Sequence, residues 1–123
     1  MTQTLKTPVT HCTTMPEVRA QIDALDDVLV PLLVQRIGYM SQAARIKQDA
    51  AQVRDEARIQ AIVDRVRKQA LEEGGQPDVV EAIYRSMMEA CIAFEHREFA
   101  RLRVEDVAAA AGAASSALAG SVV

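Results

Sequence analysis

The sequence predicts an all-α protein, a chain of three helices that begins with one unusually long helix. Half of its 123 residues are hydrophobic and 25% are charged, a composition typical of globular proteins rather than disordered chains. Five Gly and four Pro residues are few, and Ala is abundant, which favours helices over strands and turns. Apolar residues recur at intervals of three and four along most of the chain. A chain of this length forms one domain.

The first helix is predicted over about 15–48, after a polar arm at 1–13. Thr14 and Glu17 have the spacing of a capping box, in which each side chain bonds a backbone N–H group of the first turn. Pro31 lies mid-helix and removes one backbone hydrogen bond, so we expect a kink there rather than a break. The apolar stripe of this helix consists of Val18, Ile22, Leu25, Leu29, Leu32, Ile37, Met40 and Ile46.

A short polar stretch at 48–53 connects this helix to a second one, predicted over about 54–72. The second helix ends at Gly74 and Gly75, because glycine readily adopts the left-handed conformation common at helix C-termini. The residues that we expect to point inward from this helix are Ile59, Ile62, Val63, Val66 and Leu71.

The third helix is predicted over about 77–104 and completes a helical domain at 14–104. Its apolar stripe consists of Val80, Ile83, Tyr84, Met87, Met88, Cys91, Ile92, Phe99 and Leu102. The remaining tail, 105–123, is rich in Ala and has little side-chain area to bury, so we expect it to be disordered.

The length of the first helix indicates that a second copy of the chain completes the fold. At 1.5 Å per residue the helix is on the order of 50 Å long, whereas a compact chain of this size is only roughly 35 Å across. Two shorter helices cannot cover the whole apolar stripe. We therefore expect an intertwined homodimeric helical bundle.

Composition excludes several classes of function. Lys and Arg number 14 against 17 Asp and Glu, a net charge of -3, which argues against a nucleic-acid partner. No apolar run reaches the ~18 residues of a membrane span. The first ten residues lack the apolar region of a signal peptide, and two cysteines are too few for a disulfide framework. We therefore expect a cytoplasmic protein.

Motifs for common catalytic chemistry are missing from the sequence. It has no glycine-rich phosphate loop, no nucleophile elbow, and neither the HExxH nor the CxxC spacing of metal sites. His11, Cys12 and His96 make only a weak case for a metal. We therefore expect neither a metal nor a cofactor.

Cations at particular helix positions remain as candidates. Arg36 and Lys47 are eleven residues apart, which at 100° per residue returns them to one helix face, about 20° off. Their long side chains can lean toward one small anion, although a solvated surface is the simpler interpretation. Arg19 lies about 25 Å from Arg36 along the helix and reaches that anion only from a partner chain. Three charges at the start of the second helix are surface residues by default: Arg54, Asp55 and Arg58.

Glu95 lies on the apolar stripe of the third helix, four residues after Cys91 and four before Phe99. A carboxylate in that position must be paired or protonated if it is buried. In one interpretation it lies at the boundary of the core, with its head in water or paired with Arg97 or Arg101. In the other it is a functional acid that faces a cleft lined by Arg and Lys.

Three segments of the chain resemble the all-α (AroQ-type) chorismate mutases: VRAQIDALDDVLVPLLVQRIGYMSQAARIK (18–47), VRDEARIQAIVDRVRKQA (53–70) and MMEACIAFEHREF (87–99). The R-x-x-I-D-x-x-D start and the R-x10-K spacing are specific in combination. Within the family, the chain looks closest to the branch that includes the bacterial isochorismate-pyruvate lyases. The resemblance covers about 15–103 and implies a homodimer of three-helix chains. It also implies a small cyclic dicarboxylate substrate and a reaction that needs no cofactor.

The resemblance also implies roles for individual residues. Arg36 and Arg58 would bind the two carboxylates of the substrate, with Arg19 contributed by the other subunit. Lys47 would donate to the ether oxygen that joins the ring to the enolpyruvyl group, and Glu95 would contact that oxygen from the opposite side. Two further residues would line the pocket: Asp55 and Cys91.

One position distinguishes the possible substrates. Many mutases have Glu directly after the second-helix arginine, where it contacts the ring hydroxyl of chorismate, and here that place is Ile59. The lyase-like branch is similarly apolar there, although Glu95 departs from the Gln usual in that branch. The sequence therefore predicts a chorismate mutase, with an isochorismate-pyruvate lyase as the alternative. A non-catalytic helical interaction domain is the third possibility.

Overall fold

A computed structural model of the chain describes residues 8–121, with the side chains of 8–113. Its α-helices are α1 (Met15–Ile46), α2 (Glu56–Glu72) and α3 (Pro77–Ser121), and this part of the chain contains no strand. Both α1 and α2 pack against α3. The predicted all-α class and the order of three helices are confirmed. The predictions for residues 1–7 of the arm and 122–123 of the tail lie outside the described residues.

The first helix begins after its predicted N-cap, Thr14, although one of the two hydrogen bonds of the predicted capping box differs. The Thr14 hydroxyl accepts a hydrogen bond from the backbone N–H of Glu17 at 3.3 Å. The Glu17 carboxylate accepts from the backbone N–H of Thr13 at 2.9 Å, one residue earlier than a capping box requires. The helix continues without a break through Pro31 and ends before Lys47, whose backbone is extended with ψ 141°.

The connection to α2 contains a short 3-10 turn, Ala50–Gln52, capped by the Asp49 side chain. The second helix begins two residues later than predicted because Asp55 is its N-cap, and the Asp55 carboxylate accepts from the backbone N–H of Arg58 at 3.0 Å. After α2 the chain turns at Gly74, whose φ of 77° lies in the left-handed region that glycine adopts without strain.

The main hydrophobic cluster lies between α2 and α3 and consists of Ile62, Val63, Val66 and Met88. Two residues predicted to point inward are exposed, Leu71 at 49% and Ile83 at 60%. Leu71 directly follows the buried Ala70 on α2. Ile83 directly precedes Tyr84 on α3, which packs against the hydrophobic cluster. A shift of one position rotates a side chain by about 100° around the helix, so these two side chains leave the packed face.

The third helix extends beyond its predicted end near 104 and runs to Ser121. The structure therefore differs over 105–121 from the expected disorder of the tail, since it is helical there. Ala has the highest helix propensity of all residues, and extending an existing helix avoids the cost of nucleating a new one. A segment with little to bury can thus continue a helix that packing has already formed.

The apolar stripe of α1 is largely uncovered in the single chain. Its exposed members are Ile22, Leu25, Leu29, Leu32, Ile37 and Ile46, whereas Val18 and Met40 are half-buried. A soluble protein rarely leaves so long an apolar face in water without a binding partner. None of the helices in the described part of the chain combines the length and the apolar character that crossing a membrane requires.

Candidate active site

A cavity of about 320 Å³ lies between the C-terminal part of α1, the start of α2 and the middle of α3. Its apolar wall includes Met40, Ile62, Met88 and Ile92. The candidate residues from the sequence that line it are Arg36, Lys47, Asp55, Arg58, Ile59, Cys91 and Glu95. The fold thus brings together seven of the eight candidates, from three separate parts of the chain.

Lys47 and Glu95 form an ion pair at one end of this cavity. The Lys47 Nζ lies 2.8 Å from Glu95 Oε2 and donates a second, longer hydrogen bond of 3.4 Å to the carbonyl oxygen of Val53. The Glu95 residue is only 4% exposed. The suggestion that Glu95 is a boundary residue paired with Arg97 or Arg101 is therefore wrong, and its partner comes from α1.

Arg36 is half-buried and held against α3 by uncharged groups. Its Nη1 donates to Cys91 Sγ at 3.5 Å, and its guanidinium carbon lies 6.0 Å from the centre of the Tyr84 ring. Among the side chains described, 8–113, neither Arg36 nor Arg58 forms an ion pair with a carboxylate. Two guanidinium groups therefore border the cavity with their charge uncompensated by an adjacent carboxylate, an arrangement suited to an anion.

Asp55 borders the cavity and also caps α2. Its carboxylate Oδ1 accepts from the backbone N–H of Arg58, so the same residue fixes the turn from which the Arg58 side chain projects. Ile59, the next residue, is half-buried and lines the wall with an aliphatic side chain. It offers no hydrogen-bonding atom to a ligand hydroxyl.

Arg19 lies apart from this group. It is exposed on the N-terminal part of α1 and does not line the cavity. Helix geometry puts it about 25 Å from Arg36 on the same helix. Within one chain it cannot contact a ligand in the cavity, so only a second copy of the chain can bring it there.

Arg54 plays a larger structural part than its interpretation as a surface charge suggested. Its Nη1 and Nη2 donate to the two carboxylate oxygens of Glu89 on α3 at 3.1 and 2.8 Å, and its Nε donates to Glu56 at 2.6 Å. These contacts raise the pKa of Arg54 above its usual value, and the Arg54 guanidinium lowers the pKa of Glu89. Arg54 thus ties the start of α2, and with it one wall of the cavity, to α3.

The sequence did not predict two further contacts near the cavity, one made by the Val53 carbonyl and one made by Arg103. The Val53 carbonyl that accepts from Lys47 is a backbone group in an irregular connection, which residue types alone do not reveal. Arg103 contacts the end of α1 from α3, and the only signal for it is its spacing of eight residues from Glu95. Within the described residues, no group of three or more His, Cys, Asp and Glu side chains is arranged to hold a metal ion.

Comparison of the sequence with known protein families identifies the chain. A family model, chorismate mutase type II, matches residues 18–96, which is more than half of the chain and includes all eight candidate residues. No curated protein matches the chain significantly. The chain belongs to the type II chorismate mutase family.

Proposed function

We propose that this family member is a chorismate mutase that converts chorismate to prephenate in the cavity between its three helices. The observation that carries the proposal is the pair of guanidinium groups, Arg36 and Arg58, which border the cavity without a carboxylate partner among the described side chains. Lys47 supplies a third cation at the same cavity. Chorismate is a dianion, and its two carboxylates match such a set of cations.

The reaction is a concerted rearrangement that needs a restrained substrate more than a reactive group. The ether C–O bond breaks while a new C–C bond forms, with no proton transferred and no intermediate on the protein. The flexible dianion must be held in a chair-like shape, which the forked donors of Arg36 and Arg58 achieve by binding one carboxylate each. A nucleophile is therefore not required.

Lys47 provides the electrostatic part of the mechanism. Negative charge builds on the ether oxygen as the C–O bond breaks, and a fixed ammonium group opposes that charge most effectively in a cavity with little water. The ammonium has three donors, of which Glu95 and the Val53 carbonyl take two. One donor remains for the ether oxygen, and the Glu95 carboxylate holds the ammonium in place for it.

The complete site is proposed to need two chains in an intertwined, cytoplasmic homodimer. The uncovered apolar residues of α1 supply the surface for a second copy, including Ile22, Leu25 and Leu29. Such packing along α1 brings the Arg19 of one chain to the cavity of the other. This third guanidinium would also close the cavity to water, which strengthens the other charge interactions.

Isochorismate-pyruvate lyase is the second candidate, in which isochorismate loses pyruvate and leaves salicylate. The aliphatic Ile59 in the cavity wall favours it. A mutase that holds the ring hydroxyl of chorismate by a hydrogen bond gains an interaction that Ile59 cannot make. Isochorismate carries its hydroxyl at another ring position, so the apolar wall does not disfavour it in the same way.

The decisive experiment is a paired assay of the purified protein with chorismate and isochorismate. We expect prephenate from chorismate, whereas salicylate and pyruvate from isochorismate alone would establish the lyase. The Lys47→Ala variant should lose about a thousandfold in kcat and keep its helical content, with Lys68→Ala on the exposed side of α2 as the matched control.

Inactivity on both substrates would favour the third possibility, a non-catalytic helical interaction domain. That outcome is checked with a bicyclic dicarboxylate that mimics the transition state. Such a compound raises the Tm of a true mutase by mass action, and an unchanged Tm would contradict the proposed function.

A further inference from the structure

Lys47 is contacted at both of its ends by one stripe of α3. Glu95, Phe99 and Arg103 are spaced by four residues and lie on one face of that helix. The Glu95 carboxylate accepts a hydrogen bond from the Lys47 Nζ at 2.8 Å. Eight residues further on, the Nη2 of Arg103 donates to the backbone carbonyl of Lys47 and, at 3.2 Å, to that of Ala44. The side chain and the backbone of the same lysine are thus both fixed by α3.

The backbone of Lys47 needs such support because it lies just past the end of a helix. The last carbonyls of a helix have no partner within it, and helix ends fray. Lys47 is the C-cap of α1, and its N–H still donates to the Ala43 carbonyl at 2.9 Å. Arg103 donates hydrogen bonds to two other carbonyls at this end of α1, those of Ala44 and Lys47. It also brings a positive charge, which the dipole of a helix C-terminus favours.

Arg103 is itself held in one orientation. Its guanidinium carbon lies 4.1 Å from the centre of the Phe99 ring, close enough for the planar group to stack on the ring. A planar guanidinium can stack and donate in fixed directions at the same time, whereas a lysine ammonium cannot. Arg103 does not line the cavity, so it has no direct contact with a ligand bound there.

We propose that Arg103 is a positioning residue for catalysis, which sets the place of the Lys47 ammonium by fixing the backbone from which that side chain projects. The inference rests on the proposed function, since it assigns Arg103 a part in stabilising charge on the ether oxygen through Lys47. A displaced ammonium would still leave Arg36 and Arg58 to bind the carboxylates. Loss of Arg103 therefore affects the transition state more than substrate binding.

The test is a cycle of four proteins: the wild type, Arg103→Met, Lys47→Ala, and the double variant. Methionine keeps an apolar chain over Phe99 and removes the donors. We expect Arg103→Met to lower kcat by about tenfold to a hundredfold, as a displacement of about 1 Å does, with KM changed less than about threefold. In the Lys47→Ala background the same substitution should cause no further loss, because Arg103 acts through Lys47.

Two further variants complete the experiment. Arg101→Met is the matched control, since Arg101 lies on the same helix but pairs with Glu98 and Glu105 of that helix, and it should keep the wild-type kcat. Arg103→Lys keeps the charge at the end of α1 and should lose less activity than Arg103→Met. It also tests the proposal if the methionine variant does not fold.

The outcomes separate this proposal from the one on which it rests. An active wild type whose kcat is unchanged by either substitution of Arg103 would overturn the positioning role alone. An equal loss with and without Lys47 would also overturn it, since a merely structural residue behaves in that way. A wild type inactive on both chorismate and isochorismate would overturn the proposed function itself.

Discussion

The carboxyl group of Glu95 determines the charge at one end of the cavity. Its side chain is buried, and its hydrogen-bonding partner among the described residues is the Lys47 ammonium. In this ion pair the carboxylate holds the ammonium that opposes the negative charge on the ether oxygen. The proposed role of Glu95 is therefore to keep Lys47 in place.

This pairing predicts how substitutions of Glu95 affect turnover. Glu95→Ala should lower kcat, because Lys47 loses the acceptor that holds its ammonium, whereas Glu95→Gln should keep more activity, because an amide oxygen still accepts from Lys47. The measurement is kcat with chorismate at one fixed pH. Glu72→Gln, at the exposed end of α2, should keep the wild-type kcat. A Glu95→Ala variant with the wild-type kcat would remove this role for Glu95.

Helix periodicity predicted which residues face the cavity but not how they pair. The eleven-residue spacing of Arg36 and Lys47 correctly indicated a shared face, and the stripe correctly placed Glu95 inward. The suggested partners of Glu95 were wrong because Arg97, two residues on, projects from a different side of the helix. The actual partner depends on how α1 lies against α3, which a spacing rule within one helix does not contain.

At the scale of elements, Glu98 joins α1 to α3. It accepts from the Ser41 hydroxyl on α1 at 2.9 Å and from the Nε and Nη2 of Arg101 at 2.8 and 3.0 Å. Arg101, with a smaller effect from Ser41, lowers the pKa of Glu98 to about 2, against the opposing effect of its partial desolvation. The contact therefore favours the folded state while Glu98 is ionised.

The lowered pKa predicts a loss of stability in acid. The unfolded chain takes up the Glu98 proton near its usual pKa of 4.5, whereas the folded chain resists until about 2. The stabilisation is therefore fully present above pH 4.5 and lost as pH falls toward 2. In urea titrations, Glu98→Gln should be less stable than the wild type at neutral pH, and this difference should shrink steadily below pH 4.5.

Two variants make that prediction specific. Ser41→Ala removes the donor from α1 alone and should lose part of the same effect. Glu105→Gln breaks another pair of Arg101, within α3, and should leave the acid transition close to that of the wild type because an exposed pair contributes little. A gap between Glu98→Gln and the wild type that stays constant from neutral pH to acid would contradict the assignment.

The elements themselves followed from local sequence signals with two kinds of error. The caps and glycines were visible, so α1 and α2 begin and end within two residues of prediction. Asp55 is predicted to be a surface charge, whereas in the structure it is the N-cap of α2, and its position just before the helical pattern is typical of one. The third helix runs past its predicted end because the helix propensity of Ala extends it through a segment that has little to bury.

At the scale of the whole molecule, one chain leaves the apolar stripe of its first helix largely uncovered. The arithmetic of helix length against domain size predicted this uncovered face, and the exposed Leu25 and Leu32 agree with it. That arithmetic contains no information on the angle at which two copies cross, since many angles would bury the same residues. The proposed contribution of Arg19 to the neighbouring cavity therefore needs a functional test.

Complementation between two inactive variants provides that test. Arg19→Ala and Arg36→Ala should each lose activity, because each removes a cation from every site of the proposed homodimer. After subunit exchange, half of the dimers contain one chain of each kind, and in these one of the two sites has both arginines. Mixing should therefore restore about a quarter of the wild-type activity, measured as prephenate formation by a mixture in which heterodimers are shown by mass tagging.

The matched control is a mixture of Arg36→Ala with Lys47→Ala. Both residues line the cavity of the same chain, so every site in every dimer lacks at least one of them and no activity should return. Recovery in the first mixture alone follows only if Arg19 acts on the partner's cavity. Heterodimers of Arg19→Ala and Arg36→Ala that form and stay inactive would contradict a contribution of Arg19 to the partner's cavity.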